Sequence, residues 1–247
     1  MIPKKIHYCW LGGGKFSAME EKCLASWRKY CPDYEIIRWD ESNYDFTIHP
    51  YMRQALEAKK WGFVPDYARL DIVHKHGGIY LDTDVELIRP LDDLLSNKCF
   101  MGFESPYFVA LGLGFGAEAG HPLLQEMMQD YDNYSFITPE GKLNMLPSPK
   151  IQTELLKKHG LKEYDGRIQT INGDVTVYPT EYFSPRSLVT KQVTLTENTF
   201  SIHLGHGSWQ PWHTKVKGKI YKFLAFHAVW VLKLRARLLG KEWPGDK

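Results

Sequence analysis

The segment Gly77-Gly78-Ile79-Tyr80-Leu81-Asp82-Thr83-Asp84-Val85 decides the fold of this chain. Its apolar centre, residues 78–81, predicts a short buried strand that ends at two carboxylates. Side chains two positions apart on a strand point to the same side, so Asp82 and Asp84 can share one hard cation. Mg²⁺ and Mn²⁺ favour carboxylate, water and phosphate oxygens, and open α/β sheets bind ligands at the carboxyl ends of their strands. An acidic surface turn is the alternative.

The helix predicted before this strand carries a second pair of charged residues. Pro65 lies in its first turn and Gly77 just past its end, an asymmetry that predicts a helix over Pro65–His76. Asp66 and Arg69 are three residues apart and therefore share one face. The pair can hold the hydroxyls of a sugar, and Arg69 can also face a phosphate. The spacing alone favours the simpler interpretation, a surface ion pair.

Two further segments supply candidate ligands. His203 lies in a predicted strand, where its imidazole can complete a metal shell begun by Asp84. His206, on a glycine-rich loop, is the alternative ligand. From this segment alone, one structural and one solvated histidine is the simpler interpretation. Trp10 follows the first predicted strand and can stack on a nucleobase, although core packing is the commoner role of a single tryptophan.

The order of the predicted elements is that of an α/β domain. A strand at residues 4–8, a helix at residues 17–30 with Ser17 as its N-cap, and a strand at residues 34–39 open the chain. This strand–helix–strand start favours parallel pairing. Further predicted elements are strands at 85–88, 100–103, 109–117, 176–178 and 200–204, and helices at 51–60, 122–131 and 150–159.

Composition excludes several classes of protein. The 247 residues have a net charge of +2, which predicts no nucleic-acid partner. The start of the chain has no apolar signal segment, and no apolar run approaches the ~20 residues that span a bilayer. A cytoplasmic location is therefore expected. The four cysteines lack zinc-type spacing, which predicts buried, reduced thiols.

The chain resembles glycosyltransferase family 32, which has a sugar-binding Asp-x-Asp region, and more distantly the clostridial glucosylating toxins. The similar segments are residues 2–13, 26–39, 65–85 and 202–209. The resemblance implies a GT-A fold over residues 1–212, an α/β domain with a mixed, mainly parallel central sheet flanked by helices. Family members often carry a serine before the position of Asp66, where this chain has Pro65.

The resemblance also implies an activity, a retaining hexosyltransferase that uses Mn²⁺ or Mg²⁺ and a nucleotide-diphosphate sugar. UDP-galactose or UDP-glucose is the favoured donor and GDP-mannose the next, with a glycan as acceptor. Retention needs either a nucleophile, for which Glu104 and Asp174 are candidates, or a front-face reaction, which we favour. The alternatives are a nucleotide-sugar hydrolase, and a non-catalytic, membrane-associated sugar-binding protein.

Individual residues acquire roles from the same resemblance, all of them at the donor or its metal. Trp10 is implied to stack on the nucleobase, Asp66 and Arg69 to hold the donor sugar, Asp82 to contact ribose or sugar, Asp84 to bind the metal, and Ser208 with Trp209 to close over the diphosphate. The histidine spacing before Ser208 varies in the family, so both His203 and His206 remain candidate metal ligands.

The segment 213–247 differs in composition from the rest of the chain. It surrounds the apolar run 223–232 with basic residues, a pattern that suits a helix lying in the interface of an anionic membrane. A helix docked on the domain is the equally supported alternative. In the first case, the tail brings the enzyme to the inner leaflet and to a lipid-linked glycan acceptor, as a peripheral protein.

Overall fold

The computed structural model describes residues 1–186 and 192–205, and its elements alternate between strands and helices. The strands are β1 (Lys5–Cys9), β2 (Glu35–Trp39), β3 (Gly78–Tyr80), β4 (Val85–Leu87), β5 (Cys99–Ser105), β6 (Phe108–Val109), β7 (Phe115–Ala117), β8 (Gln169–Ile171), β9 (Val175–Tyr178) and β10 (Ser201–His203). The helices are α1 (Ala18–Tyr30), α2 (Pro50–Glu57), α3 (Pro65–His76), α4 (Pro122–Asp130), α5 (Ser148–Lys158) and α6 (Thr180–Phe183).

The central sheet has the order β2-β1-β3-β7-β5-β9-β8, with β6 paired to β5. Strands β1, β2, β3, β5 and β9 run in one direction, and β6, β7 and β8 run in the other. The sheet is therefore mixed and mainly parallel, as expected. Strands β4 and β10 form a separate antiparallel pair beside it.

Helices cover both faces of the sheet, because its strands alternate their side chains between two apolar layers. Ile79 of β3 packs in a layer with Trp27 of α1 and with residues of α6. Tyr80, the next residue of β3, packs in the opposite layer with residues of α2 to α5. The start of α1 is fixed as expected, since Ser17 and Glu20 form a reciprocal capping box.

The prediction of one strand over residues 109–117 was wrong. The segment divides into the end of β6, a 3₁₀ turn at Leu111–Leu113 and strand β7. Gly114 has φ of +129°, which strand residues with side chains rarely adopt, and this glycine ends the turn. Strand β8 and helix α6 were missed, since three- and four-residue elements leave too little periodicity to detect.

The four cysteines, Cys9, Cys23, Cys31 and Cys99, are buried and free, as the spacing predicts. Desolvation raises the pKa of each thiol. Within residues 1–186 and 192–205, we find no helix with the length and apolar character that a bilayer crossing needs.

A buried histidine holds β1 against the turn before β3. Trp39 Nε1 donates a hydrogen bond to His7 Nδ1 at 3.1 Å, so Nε2 carries the proton and donates to the Gly77 carbonyl at 2.8 Å. Burial lowers the pKa of His7 to about 4, although the bond to Gly77 opposes this shift. The neutral ring is thus part of the folded structure.

Acidification should therefore destabilise the fold through His7. Between pH 6.5 and about 4 only the unfolded chain binds this proton, so the free energy of unfolding falls by about 3 kcal/mol through this group. Urea denaturation of wild type and His7→Gln from pH 7 to pH 4.5 tests this. The stability advantage of wild type should shrink as the pH falls, and an advantage independent of pH would refute it.

Candidate functional site

The Asp-Thr-Asp triplet forms a turn that leads out of the central sheet. Leu81 N–H donates to the His7 carbonyl at 3.0 Å, and Asp82 N–H donates to the Gly112 carbonyl at 3.1 Å. Val85 N–H then closes the turn on the Asp82 carbonyl at 3.0 Å. Two neighbouring segments therefore fix the end of β3, and the turn starts β4.

Strand β10 brings His203 to this turn. It pairs with β4 so that His203 lies opposite Val85, and Leu204 N–H donates to the Asp84 carbonyl at 2.9 Å. His203 Nε2 consequently lies 3.3 Å from Asp84 Oδ1, and both side chains keep about one-sixth of their surface exposed, 17% and 16%.

Asp82, Asp84 and His203 each offer a ligand atom to one small space. These three atoms lie within 4.8 Å of one another. Two ligands of one Mg²⁺ or Mn²⁺ ion lie at most about 4.2 Å apart at bond lengths near 2.1 Å, so a small side-chain rotation would complete the set. Two carboxylates and one imidazole therefore fit a hard divalent cation, with positions left for phosphate and water oxygens.

The Asp66–Arg69 pair is buried, which corrects the surface ion pair that spacing alone favoured. Each side chain is 5% exposed, and Arg69 Nη2 donates to Asp66 Oδ1 at 2.8 Å. Ser148 Oγ, from α5, donates to the same carboxylate oxygen at 2.8 Å. Arg69 Nη1 also lies 3.7 Å from Asp82 Oδ1, which joins the pair to the triplet. Local spacing could not reveal the packing of α4 and α5 over this helix.

Burial and neighbouring charges shift the pKa values of these groups in opposite directions. Burial raises the pKa of Asp66 to about 6, against the attraction of Arg69 and the hydrogen bond from Ser148. Burial likewise raises the pKa of Asp82, again opposed by Arg69. Burial alone would lower the pKa of His203, but its hydrogen bond and charge contact with Asp84 raise it instead. The site thus concentrates negative charge that a cation would stabilise.

Gly112 is a residue of this site that sequence reasoning missed. A Cβ atom placed there would lie 2.2 Å from Asp82 Oδ2 and 3.0 Å from Arg69 Nη1. Only glycine leaves room for the carboxylate and guanidinium at this point. The alternating glycines Gly112, Gly114 and Gly116 were the available signal in the sequence.

The remaining candidates lie at opposite ends of the parallel strands, some where the strands end and one where a strand begins. Trp10 follows β1 and Glu104 lies near the end of β5, so both share with Asp82 the edge where parallel strands end. Trp10 packs on Phe16 at 4.4 Å between ring centroids. Asp174 directly precedes β9, which runs parallel to β5, and therefore lies at the opposite edge.

His206, Ser208 and Trp209 lie outside the described residues, as does the tail 213–247. Of the two candidate histidines, His203 is thus the one whose position is known. Glu104 is beside it, with Oε1 3.9 Å from His203 Nδ1.

Comparison with known proteins indicates similarity to glycosyltransferases. Residues 17–101 match the family model described as a glycosyltransferase sugar-binding region containing a DXD motif. Inositol phosphoceramide mannosyltransferase 3 of Schizosaccharomyces pombe is 33% identical over 143 residues, 55% of this chain and 38% of that protein. Over this stretch the chain is similar to the family 32-type glycosyltransferases. Members with such a region generally use a nucleotide sugar and a divalent metal.

The chain is also similar to a viral protein and to a solved glycosyltransferase structure. The protein named uncharacterized glycosyltransferase L373, from Acanthamoeba polyphaga mimivirus, is 24% identical over 87% of this chain and 86% of its own length. The solved structure of the PaToxG glycosyltransferase aligns with a TM-score of 0.50 and 18% identity over 64% of this chain and 69% of that chain, which shows the GT-A fold. The chain spans less than two-fifths of the length of the S. pombe mannosyltransferase.

Proposed function

We propose that this protein is a metal-dependent, retaining hexosyltransferase. The observation that carries this proposal is the meeting of Asp82, Asp84 and His203 at a sheet edge, next to the buried Asp66–Arg69 pair. The first set is suited to a cation and the second to the hydroxyls of a sugar. Arg69 Nη1 lies 3.7 Å from Asp82 Oδ1. A hexose held by the Asp66–Arg69 pair would therefore lie close to a diphosphate bound at the cation.

The donor would lie across these groups. Asp84 and His203 hold the cation, Asp82 reaches the cation or ribose, and Asp66 with Arg69 holds the hexose. Trp10, at the same edge, stacks on the nucleobase. A bound Mn²⁺ or Mg²⁺ supplies charge stabilisation to the departing diphosphate. Ser208, Trp209 and His206 stay predictions, as donor-closing residues and an alternative ligand.

Retention fits a front-face reaction in this site. Asp174 lies at the other edge of the sheet, and Glu104 lies beside His203. Neither position favours a protein nucleophile on the far face of the sugar. In a front-face path the leaving diphosphate accepts the proton of the acceptor hydroxyl, and the protein orients both reactants and excludes water.

The donor and acceptor follow from family likeness. The family resemblance favours UDP-galactose or UDP-glucose as donor, and the S. pombe relative, a mannosyltransferase by name, supports including GDP-mannose. The acceptor is a glycan, and we propose a lipid-linked one. Residues 1–212 would form the catalytic domain, and the basic tail 213–247 would hold it to the cytoplasmic face of the membrane.

Product analysis tests the proposed function. The full chain is incubated with Mn²⁺ and each of the three donors, with and without oligosaccharide acceptors, and released nucleoside diphosphate and glycosylated product are quantified. Acceptor-dependent transfer that retains the anomeric configuration is expected. Release without transfer would identify a hydrolase, and no release with any donor would favour a non-catalytic sugar-binding protein.

Glu104 should strengthen metal binding by positioning His203. Its carboxylate lies 3.9 Å from His203 Nδ1, and a small rotation would let it accept that proton and direct Nε2 toward the cation. Glu104→Ala should weaken Mn²⁺ binding about 10-fold in calorimetry. Glu104→Gln, whose amide oxygen still accepts this bond, should retain most of the affinity. Unchanged Mn²⁺ affinity with lost turnover would instead place Glu104 at the sugar.

A further inference from the structure

The hairpin between β5 and β6 presents two aromatic rings to solvent. Ser105 and Phe108 pair across it, and Pro106 and Tyr107 form its tip. Tyr107 is 75% exposed and Phe108 is 37% exposed. Tyr107 is the most exposed aromatic residue among the residues that the structure describes. Large apolar surface left in water commonly marks a binding site.

The hairpin is held firmly from both sides, so the exposure of its rings is built into the fold. Ser184 Oγ donates to the Glu104 carbonyl at 3.1 Å on one strand. On the other strand, Val109 N–H donates to Thr153 Oγ1 at 2.9 Å. The two rings lie 6.5 Å apart between centroids and are inclined by 60°, an open aromatic corner.

The aromatic corner of Tyr107 and Phe108 lies next to the donor site. Strand β5 ends at the same sheet edge as β3, and Glu104, three residues before Tyr107, is 3.9 Å from His203. Three extended residues span at most about 10 Å. An acceptor sugar bound to this corner would therefore reach the space next to Asp82, Asp84 and His203.

The charge of this stretch of chain favours a neutral occupant. No lysine or arginine occurs between Cys99 and Gly141, whereas Glu104 directly precedes the hairpin. This stretch of chain therefore offers an anionic lipid surface or a phosphorylated ligand a carboxylate and no cation. The C–H face of a neutral pyranose can pack on an aromatic ring, and its hydroxyls can form hydrogen bonds with the Glu104 carboxylate.

We infer that Tyr107 and Phe108 form an acceptor subsite that binds a neutral pyranose unit of the glycan. This inference rests on the proposed function for its place in the reaction. In this arrangement the acceptor binds on the side of the site formed by the hairpin, and the donor binds between Trp10 and Asp66. The sugar that leaves the donor then faces the hairpin.

Acceptor kinetics test the subsite. Tyr107→Ala should raise the acceptor KM at least 10-fold, with the donor KM and the slow acceptor-independent hydrolysis unchanged. Tyr107→Phe keeps the ring and should stay within about 2-fold of wild type. The matched control is Tyr30→Ala, a partly exposed tyrosine at the end of α1, which should change neither constant. Equal acceptor KM in wild type and Tyr107→Ala would overturn the inference.

A direct binding experiment separates this inference from the proposed function. Saturation-transfer NMR with neutral hexose disaccharides should show binding to wild type and its loss in Tyr107→Ala, even if no donor is turned over. Wild type that binds no disaccharide, or a variant that binds as wild type does, would overturn the subsite. Vesicle sedimentation that depends on Tyr107 while disaccharide binding does not would also overturn it.

Discussion

Replacing Asp84 with alanine should reduce glycosyl transfer about 10³-fold while the protein stays folded. In the proposed reaction the cation would contribute several kcal/mol to stabilising the leaving diphosphate, and ~4 kcal/mol corresponds to a factor of about 10³ in rate. The side chain is only 16% exposed, but its backbone carbonyl, not its carboxylate, bonds to Leu204. Transfer rate and Mn²⁺ affinity are measured on purified protein, with thermal unfolding as the check on folding.

Two variants sharpen this prediction. Asp84→Asn keeps the shape of the side chain and removes its charge, so it should resemble Asp84→Ala in Mn²⁺ affinity. Asp93→Ala removes an exposed carboxylate that pairs with Arg89, and it should leave transfer unchanged. Transfer by folded Asp84→Ala within a few-fold of wild type would show that this carboxylate does not hold the metal.

Exchange of Arg69 for methionine should lower the free energy of unfolding by about 3–5 kcal/mol. The exchange leaves Asp66 buried without its cation, and an unpaired buried charge is strongly destabilising. A second exchange, Asp66→Asn, in the same chain should recover most of this stability. The double variant should nevertheless stay inactive, because neither new side chain offers a charge to the donor. Urea denaturation and donor-release assays measure the two effects.

An exposed ion pair of the same spacing provides the control. Lys157 and Glu154 are also three residues apart and meet at 2.8 Å, but their side chains are 54% and 55% exposed. Lys157→Met should therefore leave stability unchanged within error. If Arg69→Met is equally harmless, the Asp66–Arg69 pair acts as a surface pair would, and its buried geometry does not determine stability.

The elements with strong local signals could be predicted from sequence. Ser17 and Glu20 fix the start of α1, and Pro65 with Gly77 bounds α3, because caps and helix-breaking residues act within a few positions. The strand before Asp82 was likewise visible from its apolar residues. The prediction of one strand at 109–117 was wrong, because a turn that depends on the conformation of Gly114 has no periodic signal.

The site itself depended on contacts between distant segments. The approach of His203 to Asp84 results from the pairing of β10 with β4, more than a hundred residues apart, and no local pattern encodes that register. The hydrogen bond from Ser148 to Asp66 and the narrow gap at Gly112 arise in the same way. Candidate residue types were therefore predictable, whereas their burial and their partners were not.

Anomalous diffraction from Mn²⁺ tests the central claim most directly. Crystals of the full chain are grown with Mn²⁺ and either UDP or GDP, and data are collected near the manganese absorption edge. We expect one strong peak bound by Asp84 and His203, next to Asp82, with diphosphate oxygens completing its shell. A nucleotide whose diphosphate binds away from these three residues, or with no cation between them, would contradict the account.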